Sequence, residues 1–249
     1  MYRNKSVVVI MPAYNAARTL VKTYQEVMAQ GVVDKVIIVD DHSRDETAQI
    51  AGQLANVRLH VHPHNIGYGG NQKTCYRLAL EEDADIVIMI HPDYQYTPKL
   101  IPAMVSMIGN GLYDCVLGSR ILGGGSLKGG MPIWKYMANR LLTVFSNLCH
   151  GAKLSEYHTG YRAFSKELLQ KLPLHVNSDD FVFDNQMLAQ ILWLGTFIAE
   201  VSCPTKYFSE ASSINFRRSV KYGFGCVGTA LHYRLCKIGL AKSPRYPVV

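Results

Sequence analysis

The chain has 249 residues, 48% of them apolar and 18% charged, and its 26 Lys and Arg against 19 Asp and Glu leave a net charge of +7. That length and apolar content suit one large domain with a full core, and argue against a disordered or fibrous chain. The positive balance points to an anionic partner (nucleotide, phosphate or membrane surface, with nucleic acid not expected), while six dispersed cysteines without a CxxC pair argue against a zinc ribbon or a secreted disulfide scaffold.

Residues 6–11 (SVVVIM) are an unbroken apolar run stopped by Pro12, which predicts a strand buried on both faces. So short an apolar run before Pro12 is too little for a signal peptide, and no apolar run reaches the roughly 20 residues that span a bilayer. The expected location is therefore the cytoplasm, in association with the inner face of a membrane. Leu20, Tyr24, Val27 and Met28 fall on one helical stripe, predicting a helix over 16–30 that Gly31 ends. A strand at 35–39 leads into Asp40 and Asp41, after which Ser43 or Asp45 caps a helix to about residue 54. Strands at 57–61, 86–90 and 115–118 then alternate with helices at 70–82 and 98–108. Such alternation specifies a parallel sheet with helices on both sides.

Past the glycine-rich loop at 123–130 the alternation stops. Helices are expected at 134–150 and 181–194, with extended pieces near 161–164 and 196–203. Residues 1–120 thus read as a nucleotide-binding half and 121–216 as an acceptor-side half. Residues 217–249 form a basic helical tail, whose cations flank apolar positions at helical spacing. It suits an anionic bilayer, packing on the body, or a homo-oligomer; Gly223, Gly225 and Gly228 weaken it as a single rigid helix.

In an open sheet of this kind ligands gather beyond the carboxyl ends of the strands. Three strands here end on polar clusters: Pro12-Ala13-Tyr14-Asn15, Asp40-Asp41 and His91-Pro92-Asp93. One cluster would merely open a loop; three at equivalent places predict a site. No GxGxxG follows the first strand, and in GYGGNQKT (67–74) Gln72 replaces the glycine that a P-loop needs before its lysine. A nucleotide would instead be held by an aromatic ring, carboxylates and a divalent metal.

The segments VVVIMPAYNAARTL, VIIVDDHSRDETAQI, NIGYGGNQKTCYRLAL, IVIMIHPDYQY and VLGSR, in this order and at these separations, resemble the family 2 glycosyltransferases of GT-A fold. The likeness is to the branch of polyprenyl-phosphate sugar synthases, and EYHTGYRAFSKELL and FIAEVSCPTKY extend it to about residue 216. The resemblance implies a Rossmann-like, mostly parallel sheet flanked by helices, with a mixed acceptor-side half. It also implies transfer of a sugar from a UDP- or GDP-linked donor to a membrane polyprenyl phosphate. Two alternatives stand beside it: transfer to a sugar hydroxyl in polysaccharide or glycoconjugate synthesis, and a non-catalytic nucleotide-sugar-binding module.

On that resemblance Pro12, Tyr14, Asn15 and Asp40 hold base and ribose; of Asp40 and Asp41, one is expected to bind and the other to cap a helix. Lys73 is a further candidate nucleotide contact. Asp93 takes the place of the second acid of an Asp-Xaa-Asp motif, holding Mg²⁺ or Mn²⁺ on the diphosphate with Gln95 as another ligand. His91 stands where the first acid would be. Its imidazole suits Mn²⁺ better than Mg²⁺, binds phosphate if protonated, or makes an ordinary loop hydrogen bond. Arg120 is a candidate for the diphosphate or lipid phosphate. Arg162 either binds an acceptor phosphate or makes an internal salt bridge with Glu156 or Glu200. Asp184 is the candidate acid near the acceptor, needed as a base for a sugar hydroxyl but hardly for an ionised phosphate.

Overall fold

The computed structural model describes residues 1–204 and 216–247. Seven strands form one sheet: β1 (Val7–Ala13), β2 (Lys35–Asp40), β3 (Val57–Val61), β4 (Ile86–Met89), β5 (Cys115–Ser119), β6 (Arg162–Ser165) and β7 (Ile198–Ser202). Their order is β3-β2-β1-β4-β6-β5-β7. All neighbours run parallel except β6, which is antiparallel to both β4 and β5. This is the mostly parallel GT-A arrangement expected, with its mixed character confined to one inserted strand.

The helices among the described residues are α1 (Ala17–Met28), α2 (Thr47–Ala51), α3 (Tyr68–Glu81), α4 (Ile101–Gly109), α5 (Ile133–His150), α6 (Lys166–Lys171), α7 (Phe183–Trp193) and α8 (Phe216–Lys237). Every residue of β1 is buried, and the strand's period of two divides them between two helical layers. Val7, Val9 and Met11 join Leu20 and Val27 of α1 and Met104 and Val105 of α4. Val8 and Ile10 join Cys75 and Leu78 of α3 and Phe183 and Met187 of α7. Each such aliphatic side chain contributes roughly 1.5–3 kcal/mol when fully buried, so a polar residue in this run would disrupt both layers.

The chain runs from β1 outward through β2 to β3, then returns to place β4 on the other side of β1. The switch point of the sheet therefore lies between β1 and β4. Ala13 is level with Asp40, and Ile10 with Met89, so the three polar clusters leave the sheet along one edge.

Two elements differ from expectation. The helix after Asp45 is only five residues, and the Asp45 carboxylate and Thr47 hydroxyl at its start are shared with the start of α1, accepting from the N–H groups of Ala17 and Ala16. The tail is one 22-residue helix through its three glycines, packed on α5 and α7. Packing offsets the glycine penalty there: a Cβ at Gly225 would lie 3.0 Å from Val182, and at Gly223 3.9 Å from Leu142. The expected boundary at residue 216 adjoins residues 205–215, which lie outside the described residues.

Candidate active site

A cleft of about 1550 Å³ opens over the switch point. One wall carries Pro12, Tyr14, Asn15, Asp41 and Gly67; the floor carries His91, Asp93, Gln95 and Tyr96; the far wall carries residues of α5, α7 and α8 with His158.

The loops of the first wall are braced against each other. Asn15 accepts from the Arg44 N–H through its side chain, while its own N–H donates to Ser43. Asn15 and His42 take positive φ, 51° and 61°, two residues past their strands, and Tyr94 takes 60° in the turn that follows β4. For side chains this large that conformation costs free energy unless the surroundings hold it. At Tyr94 they do: its hydroxyl donates to Glu26 and Lys22 lies 3.9 Å from the ring centroid. The turn so held lets the Gln95 N–H donate to Asp93 Oδ1 at 3.1 Å, presenting Asp93 at the cleft floor.

Asp40 and Asp41 divide as follows. Asp40, 1% exposed, accepts from the N–H and hydroxyl of Ser43 and does not line the cleft. In place of the expected contact with base or ribose, the carboxylate turns inward to close the 40–43 turn. Asp41 lines the cleft but accepts from the N–H groups of Ile66 and Gly67, fixing the entry to α3, and contacts His62 at 3.1 Å. Lys73, expected as a nucleotide contact, is likewise engaged elsewhere. Its ammonium donates to the Asn177 carbonyl and to Asp179 at 2.8 Å, away from the cleft, clamping α3 to the 177–179 loop.

Glycines make that clamp possible. A Cβ on Gly69 would sit 2.4 Å from the Ser178 carbonyl oxygen, and one on Gly67 2.6 Å from that of Asp179. The glycine-rich segment thus serves backbone contact between α3 and the loop before α7, with the Gly69 N–H donating to the Asp179 carbonyl at 2.8 Å.

The two arginines have partners other than those expected. Arg120 reaches the cleft, yet its guanidinium donates to the buried Glu156 carboxylate and, at 2.7 Å, to the His158 carbonyl. Burial would push the Glu156 carboxyl up, but the charge and hydrogen bonds of Arg120 outweigh it and hold the group below its usual range. Arg162 has no exposed surface. It donates to the carbonyls of Thr159, Tyr157 and Asp184 and lies 3.5 Å from Asp184 Oδ1, so its guanidinium is engaged within the protein. Nor is either acid named for it its partner, because Glu156 serves Arg120 and Glu200 accepts from Ser155.

Asp184, in the first turn of α7, faces the cleft with both oxygens engaged: Oδ2 accepts from the Tyr68 hydroxyl at 2.8 Å and Oδ1 from Gln72 at 3.1 Å. Tyr68 also lies 3.0 Å from His91 Nε2 and stacks on Phe181, centroids 4.8 Å apart. Burial, reinforced by the Asp184 charge, raises the phenol well above its usual range, so it keeps its proton and donates it to Asp184. The tyrosine oxygen must then accept from His91 Nε2–H, which leaves the lone pair of a neutral His91 on Nδ1. A Cβ at residue 160 would meet the His91 ring at 2.6 Å, so Gly160 makes room for this arrangement. Tyr68 and Gln72 escaped the sequence reading; their one signal was a spacing of four on the helix that failed as a P-loop.

On the far wall, His158 Nδ1 lies 2.7 Å from the Tyr222 hydroxyl, and burial depresses its pKa to about 4, so the ring is neutral near pH 7. Lys221 donates to Asp180 at 2.8 Å, tying α8 to the loop before α7. Lys135, Arg217 and Arg218 also line this wall and give it a positive character.

Among the described residues no three His, Cys, Asp or Glu side chains cluster as a metal site. Asp93, Gln95 and His91 instead offer a carboxylate, an amide and one imidazole nitrogen at the cleft floor. That set is too sparse for a closed cage but fits an ion that brings phosphate oxygens and waters with it.

The model of glycosyl transferase family 2 matches residues 8–173. A UDP-N-acetylglucosamine–dolichyl-phosphate N-acetylglucosaminyltransferase of Methanococcus voltae is 28% identical, over 96% of this chain and 98% of that protein. An undecaprenyl-phosphate mannosyltransferase of Micrococcus luteus is 27% identical, over 78% and 81%. Among solved structures, glucosyl-3-phosphoglycerate synthase of Mycobacterium tuberculosis, in complex with Mn²⁺, UDP-glucose and glycerol 3-phosphate, superposes with a TM-score of 0.68. It shares 18% identity, over 96% of this chain and 82% of that one.

Proposed function

The chain belongs to glycosyl transferase family 2 and is a glycosyltransferase; from that premise we propose that it moves a sugar from a nucleotide-diphosphate donor to a membrane polyprenyl phosphate. The observation that carries this reading is the convergence on one cleft of Tyr14 and Asn15, then His91 and Asp93, then a cationic wall from α5 and α8. Tyr14, 49% exposed at the rim, offers its ring to the base. The Mycobacterium tuberculosis structure holds Mn²⁺ with a UDP-sugar, and the relatives from Methanococcus voltae and Micrococcus luteus are named for lipid-phosphate acceptors. These names support the donor and acceptor classes assigned here.

A divalent ion bound at Asp93, with Gln95 and His91 Nδ1, would neutralise charge on the diphosphate leaving group. A mixed carboxylate and imidazole set favours Mn²⁺ over Mg²⁺. The remaining work falls to the chain's own groups: Asp93 is oriented by the Gln95 N–H, and His91 by Tyr68. Asp184 has both oxygens committed to Tyr68 and Gln72. That commitment suits an acceptor already ionised, which needs no base, better than a sugar hydroxyl.

The test is incubation of the full chain with polyprenyl phosphate in detergent, or with an oligosaccharide acceptor, and radiolabelled UDP- and GDP-sugars, with Mn²⁺, Mg²⁺ or EDTA. Label should enter the lipid with one donor class, fastest with Mn²⁺ and not at all with EDTA. Label entering only an oligosaccharide acceptor would replace the lipid reading with the hydroxyl one, and transfer undiminished by EDTA would remove the metal.

A further inference from the structure

One face of α1 grips the turn that forms the cleft floor. That turn, residues 91–95, carries the three side chains offered to a divalent ion, and Tyr94 stands between Asp93 and Gln95 at a φ of 60°. A tyrosine in the left-handed region costs free energy that its neighbours must offset. Those neighbours are Thr19, Lys22 and Glu26, at i, i+3 and i+7 and so on one stripe of α1. Thr19 donates its hydroxyl to the Pro92 carbonyl. Lys22 covers the Tyr94 ring, Nζ 3.9 Å from the centroid, and Glu26 accepts from the Tyr94 hydroxyl. The residues on both sides of Asp93 are thus held from α1, Pro92 by its carbonyl and Tyr94 by face and tip. The bond to Glu26, aided by burial, raises the phenol to about 12, so the tyrosine stays the donor at neutral pH.

The helix making this grip is itself fixed at two places. Its neighbouring stripe, Leu20, Thr23 and Val27, is buried, and Leu20 and Val27 pack in the layer that holds Val7, Val9 and Met11 of β1. At its start the N–H groups of Ala16 and Ala17 donate to Thr47 at 2.8 Å and Asp45 at 3.1 Å, next to the bond from Asn15 to Ser43. So α1 joins the wall that carries Tyr14 and Asn15 to the floor that carries Asp93. Close-packed interiors transmit displacement rather than absorb it, and the spacing of wall and floor therefore follows the helix. A diphosphate whose base lies on the wall must meet its ion at the floor, which makes that spacing part of the binding site. Lys22 and Glu26 do not line the cleft, so their part is orientation rather than contact.

We propose that Thr19, Lys22 and Glu26 are positioning residues of the metal-binding floor, fixing the 92–95 turn so that Asp93 and Gln95 meet a divalent ion in one geometry. This role rests on the reading of Asp93 as a metal ligand, and binding alone, without acceptor or turnover, tests it. UDP and GDP are titrated calorimetrically into the full chain with Mn²⁺ and without it, alongside melting temperatures. Glu26→Ala should weaken the Mn²⁺-dependent affinity about 10–100-fold, the usual loss when a group behind a metal ligand is removed, and leave metal-free affinity unchanged. Glu26→Gln keeps an oxygen that accepts from the phenol and should bind as wild type does. Tyr94→Phe should reproduce Glu26→Ala, and the two together should cost no more than either alone, because both remove one bond. A Glu26→Ala protein that melts lower yet keeps its Mn²⁺-dependent affinity would make the grip merely structural and overturn the proposal, as would equal losses with and without Mn²⁺. A wild-type chain whose nucleotide affinity ignores Mn²⁺ would instead refute the metal reading on which the proposal stands, before any variant is compared.

Discussion

Tyr68 has one proton and two polar neighbours, and the way it is shared sets the chemistry of the cleft floor. Because the phenol donates to Asp184, it accepts from His91, and the sequence departure at His91 becomes a defined nitrogen facing away from Tyr68. Tyr68→Phe keeps the stack on Phe181 but removes both bonds. The expected result is a fall in kcat of about 10–100-fold, the usual cost of losing a group that orients a ligand. Nucleotide affinity without metal should stay the same; steady-state kinetics with calorimetry separates this from a general loss of folding. Asp93→Ala should abolish metal-dependent nucleotide binding at an unchanged melting temperature, and calorimetric titration with and without Mn²⁺ reads it directly. At this scale the clusters 12–15, 40–41 and 91–95 were legible as site-forming because each ends a buried strand. The partners of Arg120 and Arg162 were not legible, since Glu156 and Asp184 reach them from segments whose approach depends on the antiparallel insertion of β6.

Among the elements, α3 carries a glycine signal whose purpose only the packing shows. Its glycines resemble a phosphate loop, yet they admit the backbone of residues 178–179, joining α3 to the loop before α7. Gly69→Ala therefore sets two effects against each other. Alanine gains up to about 1 kcal/mol of helix propensity. A Cβ 2.4 Å from a backbone oxygen forces the two segments apart, and such overpacking costs typically about 1–3 kcal/mol with no flexible side chain to yield. Net destabilisation is expected in urea unfolding, with activity lost along with it. In α8 the balance runs the other way: three glycines do not break the helix, because its inner face is held by α5 and α7.

For the molecule as a whole, two buried histidines give stability a pH dependence of known sign. Burial depresses both His150 and His158 to about 4. Between pH 4 and 6.5 the unfolded chain binds protons at these sites that the folded chain does not, so stability rises with pH through that window. It is complete above about 6.5 and is lost as pH falls toward 4, by roughly 3 kcal/mol for each group. Unfolding midpoints from pH 7 to 4 should show this decline, and His150→Asn should make it shallower. A decline of unchanged slope in the variant would assign it to other groups.

Strand and helix alternation, the unbroken apolar strands and the polar residues at their carboxyl ends are local patterns, and the sequence by itself determined from them a mostly parallel sheet with a site at one edge, while the resemblance of its motifs implied the family. The order β4-β6-β5, the partners of the two arginines, the Tyr68–Asp184 bond and the grip of α1 on the 92–95 turn were decided only by the tertiary structure. Each depends on segments far apart in the chain meeting at one place. A period of two or 3.6 residues specifies which face of an element is buried, but not which other element covers it.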